Sequence, residues 1–96
     1  MLAFYVDYNS RERFPDGRQA IHVAIGTINP PSLENKLTVG LRATLYDEEI
    51  KCVGILRRGK YYDWVADIVP GTVRDLSRGE FNRLRSITRR SAFGIV

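Results

Sequence analysis

A run of alternating apolar and polar residues at positions 37–46 constrains the fold of this 96-residue chain more than any other feature. Successive side chains of a β-strand point to opposite faces of the sheet, so a period of two indicates a strand with one buried face. The even positions of this run are mostly polar. The odd positions, which are therefore predicted to face the core, are Leu37, Val39, Leu41, Ala43 and Leu45.

Five other segments have the composition or the alternation of strands. In the first of them the even residues are predicted to face inward, beginning with Leu2 and Phe4. The alternation falters at Gly54, which predicts a bulge or a tightly coiled sheet at that point. Trp64, the only tryptophan, is predicted to be the largest side chain of the core. The segments are 2–8, 20–25, 50–56, 61–68 and 73–76, the last being either a short strand or a single 3₁₀ turn.

The connections between these segments are rich in turn-forming residues. A ten-residue loop is predicted over 9–18, and Pro30 and Pro31 interrupt the sheet, because proline lacks the backbone donor of a strand ladder. The acidic turn 47–49 lacks the glycine and the further oxygen ligands of a metal-binding loop, so we interpret it as solvated. Gly59 suits the left-handed position of a hairpin turn over 57–60.

An amphipathic helix is predicted over 77–91. Ser77 and Glu80 have the spacing of a capping box, in which each side chain accepts a hydrogen bond from the other residue's backbone amide. Leu76 and Phe81 are placed to form the accompanying hydrophobic staple. The predicted apolar sector of the helix consists of Phe81, Leu84, Ile87 and Thr88, and the opposite sector is polar and basic.

These segments predict one domain over 1–96, with a β-rich part (1–76), a C-terminal helix (77–91) and an apolar tail (92–96). A chain of this length buries roughly 60 to 70 % of the surface that it exposes when unfolded, which is enough for one core. We expect a mainly β (α+β) fold. It would be a small antiparallel meander of five to six strands, or an SH3-like barrel, with one C-terminal amphipathic helix packed on it.

Short, bent strands followed by a proline turn resemble the small SH3-like barrels. Trp64, Ala66, Pro70 and Val73 are similar in spacing to the last two strands of such domains, and positions 43–47 are superficially similar to the ALYDY stretch of the peptide-binding members. The tryptophan follows that stretch too soon, and the paired tryptophan and late tyrosine of the peptide groove are missing. The resemblance covers at most half of the chain, so no family is assigned.

The positive charge is concentrated near the C-terminus. Basic and acidic residues balance over 1–76, whereas 77–96 holds five arginines against Glu80 alone, so the formal charge of +4 resides in the last fifth of the chain. Such asymmetry points to an anionic partner, the alternative being a helix whose solvated face is basic.

The composition also argues against several classes of protein. Cys52 cannot form an intramolecular disulfide, and together with the single His22 it provides too few ligands for a structural zinc site, so we expect no metal and no cofactor. No secretory signal is visible, and the longest run without a charged residue, 19–33, contains two prolines. We therefore expect a soluble, cytoplasmic protein that has no membrane partner.

An up-and-down meander would bring two basic groups together. A helix of about 14 residues is roughly 21 Å long, and it would run back along the sheet toward the tip at 57–60. The acidic turn 47–49 would meanwhile neutralise the arginines of loop 9–18 at the other end. The predicted nucleic-acid-binding residues are Arg57, Arg58, Lys60, Arg83, Arg85, Arg89 and Arg90, with Phe14 and Tyr61 as candidates for stacking on bases.

Three functional classes follow from these features. We favour a small non-enzymatic module that binds nucleic acid or another polyanion. The alternative is a protein-interaction or homodimerisation module, inhibitor or antitoxin-like, that uses the helix and the tail residues Phe93, Ile95 and Val96. An enzyme is the least favoured class, because the sequence has no glycine-rich phosphate loop, no nucleophile motif and no pair of carboxylates that can be argued to converge.

Overall fold

The chain folds into one β-sheet with a helix packed on it. A computed structural model describes residues 1–26 and 29–92, except for the side chains of Ser91 and Ala92. A 3₁₀ helix (Pro31–Lys36) lies between the third and fourth strands, and helix α1 (Arg78–Ala92) follows the last strand. The strands within the described residues are β1 (Ala3–Tyr5), β2 (Arg11–Arg13), β3 (Gln19–His22), β4 (Arg42–Tyr46), β5 (Ile50–Arg58), β6 (Trp64–Ile68) and β7 (Arg74–Asp75).

The strand order in the sheet is β1-β4-β5-β6-β3-β2, and β7 pairs with the beginning of β5. β1 runs parallel to β4, with Phe4 opposite Leu45, and the remaining pairs of described strands are antiparallel. The prediction of a mainly β fold with one C-terminal helix is confirmed. The sheet is not closed and its strand order is not sequential, so neither the meander nor the SH3-like barrel is confirmed.

β5 is the longest strand and lies at the centre of the sheet. Residues 51–55 pair with β4, and residues 54–58 pair with β6 on the other side. The pairing is continuous through Gly54, which lies opposite Ala43 and Ile68, so β5 has no bulge at this residue. A Cβ atom added at Gly54 would lie 2.7 Å from Cδ1 of Leu45. Glycine is required because a β4 side chain packs directly against the backbone of β5.

The main core lies on the inner face of the sheet. Phe4 and Val6 are 0 % and 3 % exposed, which confirms the inward direction predicted for the even residues of the first strand. Ile21 and Val23 extend the same cluster from β3 and the residue that follows it. Trp64 is 4 % exposed and belongs to this cluster as well, so its predicted place in the core is confirmed.

The alternating stretch 37–46 forms a strand only in its second half. β4 begins at Arg42, and Ala43 and Leu45 point into the core as predicted. Val39 was predicted to be buried, but it is 68 % exposed. Gly40 accounts for the difference, because its φ of +89° places a turn here that carries Val39 out to solvent.

The loop predicted over 9–18 contains a strand, so that prediction is wrong. β2 forms a hairpin with β3, and the Phe14 amide donates to the carbonyl of Arg18 at 2.9 Å. The middle residue of β2, Glu12, is 2 % exposed, whereas the residues on either side of it are exposed arginines. Hydrophobic alternation does not reveal such a strand, since its single inward-facing side chain is a carboxylate.

The acidic turn 47–49 does not neutralise the arginines of segment 9–18. Asp47 uses its carboxylate to accept hydrogen bonds from two backbone amides of the same turn, and Glu48 accepts one from the Tyr5 hydroxyl. Arg18 pairs instead with Asp16 of its own hairpin, with Nε 2.6 Å from Oδ2. The parallel pairing of β1 and β4 explains this difference, because it places the acidic turn beside the end of β1.

Helix α1 begins with the predicted capping box. Ser77 Oγ accepts a hydrogen bond from the Glu80 amide at 3.2 Å, and Glu80 Oε1 accepts one from the Ser77 amide at 3.3 Å. Leu76 and Phe81 belong to one apolar cluster, as the hydrophobic staple requires. The start of the helix is thus fixed by the residues that the sequence indicates.

The helix packs on the face of β1 that points away from the main core. Leu84 is 8 % exposed and Thr88 is 0 % exposed, so the predicted apolar sector is confirmed as the buried side of the helix. The Thr88 Oγ1 atom lies 2.7 Å from the carbonyl oxygen of Ala3 and 2.8 Å from the hydroxyl of Tyr46. This second cluster holds α1 across the sheet and leaves its opposite side exposed.

Candidate nucleic-acid interface

Arginines make up most of the exposed residues of α1 between positions 78 and 90. Four of its arginines are exposed, and Arg85 is half-buried. We call this surface the helix arginine face, and it consists of Arg78, Arg83, Arg85, Arg89 and Arg90.

The acidic residue of the helix is neutralised by the sheet. Glu80 Oε2 lies 2.8 Å from Lys51 Nζ of β5 and 3.9 Å from a guanidinium nitrogen of Arg83. The hydrogen bond from Lys51, followed by that from the Ser77 amide, lowers the pKa of Glu80 below its ordinary value. Because Lys51 already compensates this carboxylate, Glu80 cancels little of the positive charge of the helix arginine face.

Two guanidinium groups of this face lie near the hydroxyl of Tyr46. Burial raises the pKa of Tyr46, and the Thr88 hydroxyl and the positive charges of Arg85 and Arg89 partly offset that effect. Tyr46 is therefore protonated at neutral pH. Its hydroxyl links the sheet to the helix beneath the arginines.

At the hairpin tip, Arg57 is already engaged by the protein. Its Nε lies 2.6 Å from Oδ2 of Asp67, and its Nη2 donates to Oδ1 at 2.9 Å. The guanidinium carbon also lies 3.9 Å from the centre of the Phe14 ring. The guanidinium of Arg57 and the ring of Phe14 thus shield each other from solvent, and both are less available to a nucleic acid than the sequence predicts.

The other residues of the tip are more accessible. Arg58 lies over the ring of Trp64 at 4.1 Å, and Lys60 Nζ is 5.9 Å from the ring centre of Tyr61. Tyr61 is 80 % exposed, so a base can reach its ring. The predicted strand over 61–68 is shorter than expected: β6 begins at Trp64, and residues 59–63 form a loop.

Glu12 holds this loop in place, a role that no pattern in the sequence indicates. Its carboxylate accepts hydrogen bonds from the amides of Lys60 at 2.7 Å and Tyr62 at 3.2 Å, and from the amide of Tyr61. Burial raises the pKa of Glu12, but the three amides and Arg57 lower it by more, so the carboxylate stays charged. The backbone amides that could have cradled a phosphate therefore already bind an internal anion.

The two predicted basic groups belong to different parts of the fold. The helix packs against β1 and the 3₁₀ helix, whereas the tip contacts β6 and the β2–β3 hairpin. A joint surface formed by Arg57, Arg58 and Lys60 with the helix arginines stays a prediction. The tail residues Phe93, Ile95 and Val96 lie outside the described residues.

A polar cleft of about 440 Å³ lies beside the same loop. We call it the Trp64 cleft, and its lining includes His22, Glu34, Tyr61, Tyr62, Asp63 and Trp64. The His22 and Tyr62 rings stack with their centres 3.7 Å apart and their planes 12° from parallel. Burial, opposed by the charges of Asp63 and Glu12, lowers the pKa of His22, so the imidazole is neutral at pH 7.

Within residues 1–26 and 29–92, no cluster of three or more histidine, cysteine, aspartate or glutamate residues is placed to hold a metal ion. In the same part of the chain, no helix has the length and apolar character needed to cross a membrane. Comparison of the chain with protein-family models, with curated proteins and with solved structures finds no match.

Proposed function

We propose that this chain is a small non-enzymatic module that binds nucleic acid, or another polyanion, through the helix arginine face. The observation that carries the proposal is the set of four exposed arginines and the half-buried Arg85 on α1, whose single acidic residue is neutralised by Lys51. A charge pattern of this kind favours an extended anionic ligand over a compact one.

The geometry of the helix suits a phosphate backbone. At 1.5 Å per residue, the arginines from Arg78 to Arg89 extend over about 17 Å, and duplex DNA carries roughly one negative charge per 1.7 Å of its axis. Guanidinium groups match phosphate oxygens with two parallel N–H donors. Because Thr88 and Leu84 fix the helix to the sheet, the arginines are presented from a rigid support.

The hairpin tip would make a second, weaker contribution. Asp67 pairs with Arg57, so a phosphate must compete with an internal carboxylate for that side chain. Lys60 and Tyr61 are exposed and are better placed for contact with a ligand. The helix is therefore the principal surface in this proposal.

The alternative, a protein-interaction or homodimerisation module, has less support. A partner that bound the helix by hydrophobic contact would need its apolar sector, but Leu84 and Thr88 are buried against β1. The exposed side of α1 is charged, which is typical of nucleic-acid contacts more than of the centre of a stable protein interface.

The proposal is tested by measuring the affinity of the full chain for labelled single-stranded DNA, duplex DNA and single-stranded RNA over a range of salt concentrations. Log K should fall linearly with log salt, with a slope of about −0.9 per phosphate contact for duplex DNA and about −0.7 for single strands. Binding of heparin without binding of DNA or RNA would identify another polyanion as the ligand. No binding to any polyanion at low salt, or an affinity that is insensitive to salt, would contradict the proposal.

A further inference from the structure

The Trp64 cleft has the features of a ligand site that the helix arginine face does not use. Its volume of about 440 Å³ falls in the range of roughly 300–1,000 Å³ that is common for small-molecule sites. It lies between the end of β3, the 3₁₀ helix and the loop that Glu12 holds in place.

Flat aromatic surfaces line one side of this cleft. Tyr61 is 80 % exposed, and Tyr62 is half-buried and stacked on the neutral imidazole of His22. Exposed tyrosine rings of this kind bind planar heterocycles by stacking, which contributes about 1–3 kcal/mol per base in single-stranded nucleic-acid complexes.

The polar groups of the cleft match the hydrogen-bonding edge of such a heterocycle. Glu34 and Asp63 are exposed carboxylates that accept hydrogen bonds, and no ion pair among the described residues involves either of them. Trp64 lines the cleft, and its indole N–H is buried without an acceptor among the described residues. Because that N–H is shielded from solvent, the exposed carboxylates of Glu34 and Asp63 are the groups that can meet the donors of a ligand.

The charges around the cleft determine how a nucleotide would be oriented. Glu34 and Asp63 repel phosphate from the cleft, whereas Arg58 and Lys60, on the strand end and loop beside it, attract phosphate. A nucleotide would therefore place its base inside the cleft and its phosphate at the basic rim.

We infer that the Trp64 cleft binds an unpaired nucleobase that carries an amino group, with guanine as the best fit. Guanine has two adjacent N–H donors on its Watson–Crick edge, which match the two oxygens of one carboxylate, and it also carries acceptors. Uracil and thymine have no amino group to donate. The inference rests on the nucleic-acid binding proposed above, and it deepens that proposal by specifying single-stranded ligands with an exposed base.

The experiment uses the indole N–H resonance of Trp64, which is unambiguous because the chain has one tryptophan. The full chain is titrated with guanosine monophosphate and with uridine monophosphate. We expect a saturable shift of this resonance with the guanine nucleotide and an affinity for the uracil nucleotide that is roughly 5- to 150-fold weaker, the range that corresponds to one bidentate base contact.

Variants localise the effect to the cleft. Tyr61→Leu, Asp63→Asn and Glu34→Gln change exposed side chains and leave the main core intact, and at least one of the two carboxylate variants should remove the preference for guanine. Asp75→Asn, which removes an exposed carboxylate from β7, is the matched control and should have no effect.

The outcomes separate this inference from the proposed function. If oligonucleotides bind with a salt-dependent affinity but the indole resonance does not respond to guanosine monophosphate, or responds equally to the uracil nucleotide, the inference is wrong and the helix proposal stands. If neither the nucleotides nor the oligonucleotides bind, both are wrong.

Discussion

The hydroxyl of Thr88 is predicted to be the group that fixes the arginine-bearing helix to the sheet. Thr88 is 0 % exposed, and its Oγ1 lies 2.7 Å from the Ala3 carbonyl oxygen, 2.8 Å from the Tyr46 hydroxyl and 3.1 Å from the Leu84 carbonyl oxygen. The threonine has one proton to donate to a carbonyl, so the Tyr46 hydroxyl donates to Oγ1. Thr88→Val preserves the size of the side chain and removes only these hydrogen bonds.

The magnitude follows from the hydrogen bonds to Thr88 that the Tyr46 hydroxyl and the Ala3 carbonyl lose, while Arg85 stays close to the hydroxyl. The Tyr46 hydroxyl is buried, and the Ala3 carbonyl loses a partner, so the free energy of unfolding should fall by about 1–3 kcal/mol. For a domain of 60–100 residues, each kcal/mol corresponds to a decrease in Tm of roughly 4–8 °C. Tyr46→Phe removes the donor but lets Thr88 keep a carbonyl acceptor, so we expect a smaller loss of about 0.5–1.5 kcal/mol.

The assay is equilibrium unfolding in urea for the two single variants, the double variant and the parent chain. The double variant should be more stable than the sum of the single losses predicts, by about 1 kcal/mol, because it leaves no unpaired hydroxyl. The slope of the free energy against urea concentration should not change. A Thr88→Val variant as stable as the parent, or strictly additive losses, would refute this account of helix docking.

Two further predictions concern Gly54 and Glu12. Gly54→Ala places a Cβ atom 2.7 Å from Leu45 Cδ1, so we expect the free energy of unfolding, measured in urea, to decrease by about 1–3 kcal/mol. An unchanged urea midpoint would show that β4 moves to make room for the added methyl group and would contradict this prediction. Glu12 has a lowered pKa in the folded chain, so its charged form stabilises the fold above its ordinary pKa of 4.5, and this contribution is lost as the pH falls through the folded value. Glu12→Gln should therefore be less stable than the parent at pH 7 and should lose less stability on acidification. Urea midpoints of both chains at neutral and acidic pH measure this difference, and a parallel pH dependence of the two midpoints would contradict the role of Glu12.

Features that depend on neighbouring residues were predictable from the sequence. The capping box needs only Ser77 and Glu80, three positions apart, and the buried side of α1 follows from the helical period. The inward direction of Phe4 and Val6 follows from the period of two in the first strand. Each of these rules operates within one or two turns or a few strand residues.

Features that depend on distant partners were not predictable. The parallel pairing of β1 with β4 joins segments about forty residues apart, with Ala3 opposite Thr44, and no local pattern encodes that choice. The strand β2 was missed because its inward residue, Glu12, is charged. The alternation predicts that Val39 is buried, but the positive φ at Gly40 forms a turn that exposes it.

The same distinction applies to the candidate site. The arginines of α1 were predictable, because an exposed helix face can be inferred from the apolar sector opposite it. Two sets of contacts at the tip were not predictable, since they join residues that are not neighbours in sequence. Arg57 pairs with Asp67 and lies over the Phe14 ring, and Glu12 accepts hydrogen bonds from the backbone amides of the tip. The Trp64 cleft likewise combines β3, the 3₁₀ helix and the loop before β6.

The central claim is that the helix arginine face, and not the overall positive charge, binds the polyanion. Two triple variants test it, because each replaces three arginines with glutamine and lowers the formal charge from +4 to +1. The helix variant replaces Arg83, Arg89 and Arg90, and the control replaces the exposed residues Arg13, Arg18 and Arg42.

The measurement is the slope of log K against log salt for duplex DNA with the parent chain and both variants. The helix variant should bind more weakly, with a slope shallower by up to about 2.7, which corresponds to three lost phosphate contacts, while the control keeps the slope of the parent. Equal losses in the two variants, or a greater loss in the control, would contradict the claim.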